Sequence, residues 1–316
     1  MTVDRRGNKN DGVCGIIITY NPGHDIAKIL EAATLELDGL IVIDNMSDEH
    51  ELTSLKSTID LLNSAPGKIG CKVLLILNTE NVGLAKAYNL GIHIAVEHEY
   101  GFVLFLDPDS YLQNGVKSLL LDRYRTLSKH FGKFILCCNN VESLKLMGDG
   151  LLTGYYRRKH LFREGDIREV LMAINSGLFV NVGTFQKIGF FDERYFIDSV
   201  DHEFTLRLLK EGYRIFRVDS AIIIHNLGET LSISAFGIHF GARIHSSIRS
   251  YYIFRDTPKT IARYISRFPM ISLLLCGYLL RELIQIMLLC RNRLQYARAI
   301  TRGILDSVKG VSGKAI

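Results

Sequence analysis

The sequence lacks the short motifs that mark several large classes of protein. Its six cysteines include no C-x-x-C pair, which argues against a zinc site or a disulfide frame and favours reduced core thiols in a cytoplasmic protein. No G-x-G-x-x-G and no G-x-x-x-x-G-K-S/T occurs, which argues against a dinucleotide-dependent dehydrogenase and a P-loop NTPase. Residues 1–12 are polar, without the apolar segment of a signal peptide, and are expected to form a disordered tail.

Charge is unevenly distributed along the chain. Residues 243–316 contain 13 Lys and Arg against 3 Asp and Glu, whereas the preceding residues contain 25 against 30. A basic region on a mildly acidic body is typical of binding to nucleic acid or to an anionic membrane surface. The chain has no recognised nucleic-acid module and no basic-aromatic repeat, so we expect no nucleic-acid partner.

Apolar runs alternate with helical patterns over the first 110 residues. Runs rich in β-branched and aromatic residues predict strands at 13–19, 40–43, 72–77 and 102–106. The segments between them have helical spacing. This alternation predicts an α/β fold with a doubly wound, mostly parallel sheet.

Each predicted strand ends in polar side chains. Because the carboxyl ends of parallel strands meet at one edge of a sheet, these side chains are expected to line one crevice. Asp107 and Asp109 flank Pro108, which ends strand pairing and leaves the carboxylates free to converge on a divalent cation. The alternative is that Asp107 caps a helix and Asp109 solvates a turn.

A set of short motifs follows in a fixed order. It comprises TYN at 19–21, IDN at 43–45, NVG at 81–83, LDPDS at 106–110, NSG at 175–177, GFFDE at 189–193, FIDSVDHE at 196–203 and HNLG at 225–228. This set resembles the family 2 glycosyltransferases of GT-A fold and looks most like their bacterial rhamnosyltransferase branch. The resemblance covers residues 13–256. It implies a Rossmann-like, nucleotide-sugar-binding half at 13–110 and an acceptor half at 111–256. Residues 257–316, beyond the resemblance, are expected to form a helical extension.

The resemblance also implies roles for individual residues. A nucleotide sugar would be held by Tyr20, Asn21, Asp44, Asn45, Asn81, Gly83, Asn89 and Asp107. Asp107 and Asp109 would carry a Mg²⁺ or Mn²⁺ that bridges the donor diphosphate. His225 follows an apolar run and is interpreted either as a further metal ligand or as a capping or core residue.

An acidic segment at 192–203 offers candidates for a catalytic base. An inverting transfer needs a base that takes the proton of the acceptor hydroxyl, and the resemblance places Asp201 at that position. Asp198 is the competing candidate. In the alternative, Asp201 and Glu203 only complement the dipole of a helix that continues through residue 210. Asp192 is interpreted in either case as a turn residue after Phe191.

The region from 261 to 309 has a helical pattern, with an apolar stretch from Met270 to Cys290 that is interrupted by Arg281 and Glu282. Two charges at its middle argue against a membrane-spanning helix. The flanking arginines suit a helix that lies in a membrane interface, whereas packing on the catalytic domain or in a homo-oligomer is the alternative. A second basic cluster, Tyr155–His160, is predicted to be a loop that contacts an anion or is solvated.

The expected function is inverting, metal-dependent glycosyl transfer to a hydroxyl of a growing glycan. The resemblance favours dTDP-rhamnose as donor and a lipid-linked or oligosaccharide acceptor at the cytoplasmic face of the membrane, as in O-antigen or capsule assembly. The alternatives are another nucleotide-sugar transferase, such as a galactofuranosyl, glucosyl or galactosyl enzyme, and a catalytically silent, membrane-associated binding protein of the same fold. A glycoside hydrolase would need neither nucleotide nor metal.

Overall fold

The structure is a computed structural model that describes residues 11–64, 71–140, 161–225, 231–235, 238–242 and 245–315. The predicted loop Tyr155–His160 lies outside these residues. The chain divides into two compact units. The first is formed by Met1–Val82, Ala87–Phe191 and Arg207–Asn226, and the second by Gly83–Lys86, Asp192–Leu206 and Leu227–Ile316.

The first four strands lie where the apolar runs predict them. They are β1 (Val13–Thr19), β2 (Gly39–Asp44), β3 (Lys72–Leu77) and β4 (Phe102–Leu106). Helices α1 (Ile26–Glu36), α2 (Glu49–Ser64) and α3 (Leu84–Glu97) alternate with them. Every residue of β1, β2 and β4 is buried, as expected for central strands covered on both faces.

These strands are parallel and lie in the order β3-β2-β1-β4. The chain runs outward from β1 to β3 and then returns to the other side of β1. Strand order therefore reverses between β1 and β4, and open α/β sheets bind ligands at the carboxyl ends of such a pair.

The second half of the sheet is mixed. It contains β5 (Ser110–Leu112), β6 (Phe134–Asn140), β7 (Arg163–Glu164), β8 (Ile167–Val170), β9 (Leu178–Asn181) and β10 (Arg214–His225), with helices α4 (Val116–Ser128) and α5 (Val182–Ile188). Strand β9 is antiparallel to both β4 and β6. The predicted α/β fold is confirmed, but the ten-stranded sheet is parallel mainly in its first half. The direction of a strand depends on the strands with which it pairs, and the sequence pattern of a four-residue strand does not specify those partners.

The second unit is largely helical. Helix α6 (Val200–Lys210) begins in it, β11 (Leu231–Ala235) and β12 (Ile238–Ala242) form an antiparallel hairpin, and α7 (Ser247–Tyr264), α8 (Pro269–Leu289) and α9 (Arg293–Val308) follow. The predicted helical C-terminal region is therefore confirmed. The predicted domain boundary at residue 256 falls within α7.

Helices α7 and α9 approach each other closely at Gly303. A Cβ atom at that position would lie 2.5 Å from the backbone oxygen of Tyr251 and 3.2 Å from the backbone nitrogen of Arg255. Beside this contact the guanidinium of Arg255 is fully buried and is held by the Asp256 carboxylate at 2.7 and 2.8 Å and by the carbonyl of Gly313 at 2.7 Å. The absence of a side chain at Gly303 thus allows a buried ion pair to lie under α9.

Gly303→Ala is expected to lower the free energy of unfolding by about 1–3 kcal/mol, because the added methyl meets backbone that cannot rotate away. The matched control is Gly277→Ala in α8, where nothing lies within 4 Å of the added Cβ. That change should raise the free energy of unfolding by up to about 1 kcal/mol through helix propensity. Chemical denaturation of both variants measures the difference, and equal effects would contradict the close approach of α7 and α9.

Candidate active site

The carboxylate of Asp44 organises the loop after β2. It is buried, and its Oδ2 accepts hydrogen bonds from the hydroxyls of Thr19 at 3.0 Å and Ser47 at 2.5 Å. Its Oδ1 accepts from the backbone N–H of Ser47 at 2.9 Å. A carboxylate has about four acceptor positions, so these bonds leave Asp44 about one for a ligand while fixing the shape of the loop.

Asn21 joins the loop after β1 to the loop after β2. Its backbone has a positive φ of 49°, which asparagine tolerates better than most residues. Its Oδ1 accepts from the N–H of Asp48 at 2.8 Å, and its Nδ2 donates to the Asp48 carboxylate at 3.3 Å. The neighbouring Tyr20 is 58% exposed, so its ring is open for stacking against a flat apolar group.

Asn45 forms a hydrogen-bonded network at the ends of β2 and β3. Its Oδ1 accepts from Asn78 Nδ2 and from the backbone N–H of Val82, both at 3.1 Å. Its Nδ2 donates to Asn81 Oδ1 at 3.1 Å. The predicted donor-binding residues Asn45 and Asn81 are thus brought together, and the network fixes the chain that leads to Gly83.

Gly83 and Asn89 have roles in packing. Gly83 has a φ of 84°, and a Cβ there would lie 2.6 Å from the carbonyl oxygen of Phe196. The amide of Asn89 is buried and pairs with the backbone of Phe191 in both directions, accepting at 2.9 Å and donating at 3.0 Å. These contacts give Asn89 a structural partner where the sequence predicts a nucleotide, and its role in donor binding stays a prediction.

Asp107 and Asp109 follow β4 directly, in a tight turn around Pro108. The backbone N–H of Ser110 donates to the Asp107 carbonyl at 3.0 Å. Ser110 then begins β5, which pairs with β10 so that Ser110 lies opposite His225. The backbone of His225 is therefore next to the turn that holds both carboxylates, while its side chain lies outside the described part of the structure.

The two carboxylates fit the chemistry of a divalent cation. In the described residues no group of three or more His, Cys, Asp and Glu side chains forms a candidate metal site. Magnesium is usually held by one or two carboxylates together with substrate phosphates and water. Asp107 and Asp109 are thus suited to a cation that arrives with, or is completed by, a phosphorylated ligand.

The acidic cluster of the second unit lies at the start of α6. Asp201 is in the first turn, its side chain is 23% exposed, and its Oδ1 accepts from the N–H of His202 at 2.8 Å. The ring of His202 lies near that of Tyr278 in α8, with centroids 6.5 Å apart. Tyr278 is distant along the chain, so no local sequence pattern predicts this contact.

Asp198 is the most perturbed carboxylate of this cluster. Its Oδ1 accepts from Arg249 Nε at 3.3 Å, and its buried Oδ2 has no hydrogen-bond partner among the described residues. Burial, reinforced by the charges of Asp201 and Asp256, raises the pKa of Asp198 to about 6 although Arg249 opposes the shift. Asp198 is thus a buried, partly satisfied group beside the more accessible Asp201.

The remaining acids of the segment have structural partners. Glu203 is fully buried, accepts a hydrogen bond from the Tyr264 hydroxyl at 2.9 Å and pairs with Arg263 at 3.2 Å. The backbone N–H of Tyr195 donates to the Asp192 carbonyl at 3.0 Å, which confirms Asp192 as a turn residue. These contacts give Asp192 and Glu203 structural roles, so they are weaker candidates for the catalytic base than Asp198 and Asp201.

Comparison with known proteins agrees with this architecture. Residues 14–165 match the profile of Glycosyl transferase family 2. The chain is 27% identical to the dTDP-rhamnosyl transferase RfbF of Shigella flexneri over 96% of this chain and 98% of that protein. It also superposes on a crystal structure of GalNAc-T7 with UDP, GalNAc and Mn²⁺ with a TM-score of 0.51 and 13% identity, covering 95% of this chain and 58% of that one.

The sheet, its polar strand ends and these matches define the chain as a glycosyltransferase with an α/β fold of GT-A type. Residues 14–165 match a family 2 glycosyltransferase domain, and the chain as a whole is similar to a bacterial rhamnosyltransferase.

The raised pKa of Asp198 predicts a pH-dependent stability. The Asp198 carboxyl has a pKa of about 6 in the folded chain against an ordinary value of 3.8, so it binds its proton more tightly in the native state. Its contribution to the free energy of unfolding is therefore full below about pH 4 and is lost as the pH rises through 6. Asp198→Asn should therefore raise the free energy of unfolding by up to about 3 kcal/mol at pH 8. It should change little at pH 4, and equal gains at both pH values in denaturant titrations would contradict the shift.

Proposed function

We propose that the enzyme is an inverting, metal-dependent rhamnosyltransferase that uses dTDP-rhamnose. The observation that carries the donor assignment is the 27% identity to a dTDP-rhamnosyl transferase over nearly the full length of both chains. The acceptor we propose is a hydroxyl of a lipid-linked or growing oligosaccharide in cell-surface glycan synthesis. Other nucleotide sugars, with galactofuranose, glucose or galactose, are the alternative donors.

The strand ends support binding of a nucleotide at the carboxyl edge of β1 and β2. The exposed ring of Tyr20 can stack on the nucleobase. The Asp44 carboxylate can accept one further hydrogen bond, which suits an N–H of the nucleobase or a hydroxyl of the ribose. The loops that present these groups are already fixed by Asn21 and Asn45. Preorganisation of this kind reduces the entropy cost of binding.

Asp107 and Asp109 would hold the cation beside the donor diphosphate. A bound Mg²⁺ or Mn²⁺ would stabilise the negative charge that develops on the leaving nucleoside diphosphate as the bond to sugar C1 breaks. The Mn²⁺ in the GalNAc-T7 structure supports this choice of cofactor. His225 is a candidate third ligand because its backbone is paired with Ser110.

Asp201 would act as the base. As the acceptor oxygen attacks C1 from the face opposite the leaving group, its proton passes to the Asp201 carboxylate. A general base must reach the proton that it removes, and Asp201 is 23% exposed whereas the Asp198 side chain is 10% exposed and is held by Arg249. The exposure of Asp201 thus favours it over Asp198.

Asp201→Asn is expected to lower kcat by about 10²–10⁴-fold, the usual contribution of a general base, with donor affinity retained. Asp198→Asn is the matched comparison and should keep most of the activity. Single-turnover transfer and calorimetric binding of dTDP-rhamnose separate the chemical step from binding. Retained activity in Asp201→Asn together with its loss in Asp198→Asn would reverse the assignment.

A panel of nucleotide sugars tests the donor and the metal together. We expect binding and slow hydrolysis of dTDP-rhamnose in preference to UDP-galactofuranose, UDP-glucose and UDP-galactose, with loss of turnover in chelator and recovery with Mg²⁺ or Mn²⁺. The double variant Asp107→Asn with Asp109→Asn should lose the response to metal, whereas Asp122→Asn on the exposed face of α4 should keep it. Preference for another donor, or activity unaffected by chelator, would overturn the corresponding part of the proposal.

A further inference from the structure

Helix α8 has two apolar faces, and only one of them is covered. Its inner face is buried through Ile271, Leu275 and Ile286. Opposite lies a row of exposed apolar side chains on one face of the helix, which we call the outer stripe: Met270, Leu273, Leu280, Ile284, Met287 and Leu288. A helix that is apolar all round normally lies in a protein core or in a membrane, so the outer stripe is expected to have a partner.

The packing of α8 favours a position on a membrane surface over a membrane crossing. By length and composition α8 could cross a membrane, and 28% of its apolar stretch is buried. Its inner side contributes Ile286 to a buried cluster with Ile253 of α7 and Ile300 of α9. Midway along the helix, Glu282 is 3% exposed and pairs with Arg281. These contacts hold α8 along the second unit with its outer stripe turned away from the rest of that unit.

Both ends of the outer stripe carry positive charge. Arg267 precedes α8, and Arg291 and Arg293 follow it. All three are exposed, and none forms an ion pair with a residue that the structure describes. An apolar face flanked by arginines is the pattern of a helix that lies at the surface of an anionic bilayer.

The same charges disfavour a second copy of the chain as the partner. In an antiparallel pair of α8 helices, Arg267 of one copy would approach Arg291 and Arg293 of the other. In a parallel pair, each arginine would approach its own equivalent. Both arrangements juxtapose like charges, which opposes association, whereas anionic lipid headgroups neutralise both ends.

We propose that the outer stripe of α8 docks on an anionic phospholipid bilayer, with the helix parallel to the surface and its flanking arginines among the headgroups. Tyr278, on the other side of this helix, approaches His202 beside Asp201. Docking would thus bring the candidate base of the second unit close to the lipid surface, where a lipid-linked acceptor would lie. Only this consequence rests on the proposed function, because the docking itself requires no transfer activity.

Cys276 provides a direct probe of docking. It is the exposed cysteine among the six of the chain, whereas Cys71 is partly buried and the other four are buried. An environment-sensitive fluorophore on Cys276 of the full chain should shift to shorter wavelength with vesicles of phosphatidylcholine and phosphatidylglycerol, and spin-labelled lipid should quench it. Cys276→Ser carries no label at this position and is the control.

Matched variants test the two parts of the surface by vesicle flotation. Leu273→Ser with Leu288→Ser should lower the partition coefficient about tenfold or more. The control pair, Leu35→Ser with Leu61→Ser, has nearly the same exposure, at 63% and 72% against 63% and 70%, and should bind like the parent. Arg291→Gln with Arg293→Gln should lower partition about fivefold per arginine at low salt, whereas Lys56→Gln with Lys129→Gln should have little effect.

The proposal is overturned by any of three results. The first is binding no stronger to anionic vesicles than to pure phosphatidylcholine. The second is unchanged binding of the Leu273→Ser, Leu288→Ser pair, which would mean electrostatic adsorption without contact of the outer stripe. The third is a lipid-free dimer in sedimentation velocity that this pair dissociates, which would make a second copy the occupant. Since flotation needs no nucleotide sugar, failure here is distinguishable from failure of the proposed function.

Discussion

The parallel pairing of β1 with β2 on one side and with β4 on the other determines what the first unit can offer to a ligand. The register places Thr19 opposite Asp44 and Ile17 opposite Leu106, so the three strands end at nearly the same level. Thr19 can therefore donate directly to the Asp44 carboxylate, and the turn containing Asp107 and Asp109 begins beside the end of β1. A slip of this register would separate the residues to which we assign binding of the nucleobase, the ribose and the diphosphate.

Much of this arrangement follows from local sequence, and some of it does not. The strands Val13–Thr19 and Phe102–Leu106 match their predicted bounds because each is an unbroken apolar run ended by polar residues. The contacts of Gly83 and Asn89 are different. Their partners, Phe196 and Phe191, lie more than 100 residues further along the chain, and no local pattern specifies such a pairing. The antiparallel direction of β9 likewise depends on β4 and β6, which lie far from it along the chain.

The second unit buries charge, and its buried groups differ in how well they are satisfied. Arg255 and Asp256 neutralise each other with two short hydrogen bonds, and Glu203 has both Arg263 and the Tyr264 hydroxyl. Asp198 has only a long bond to Arg249 and leaves one oxygen unpartnered among the described residues. Burial of an unpartnered carboxylate oxygen costs free energy, and a protein tolerates that cost where the rest of the structure enforces the burial. Such positions are commonly functional sites. The charge of the neighbouring Asp201 further opposes ionisation of Asp198 and helps to raise its pKa.

The outer stripe of α8 also has features that the stability of the folded chain in water does not explain. Exposed leucines such as Leu273 and Leu288, at 63% and 70%, contribute little to the stability of the folded chain in water, and a contiguous apolar surface favours association. Gly277, within the same stripe, lowers helix propensity at a position where no neighbour requires a glycine. The opposite side of α8, in contrast, is packed against α7 and α9 and carries Tyr278 toward His202. One face of the helix is thus explained by folding, and the other is explained only by a partner that the apolar side chains and the flanking arginines recognise together.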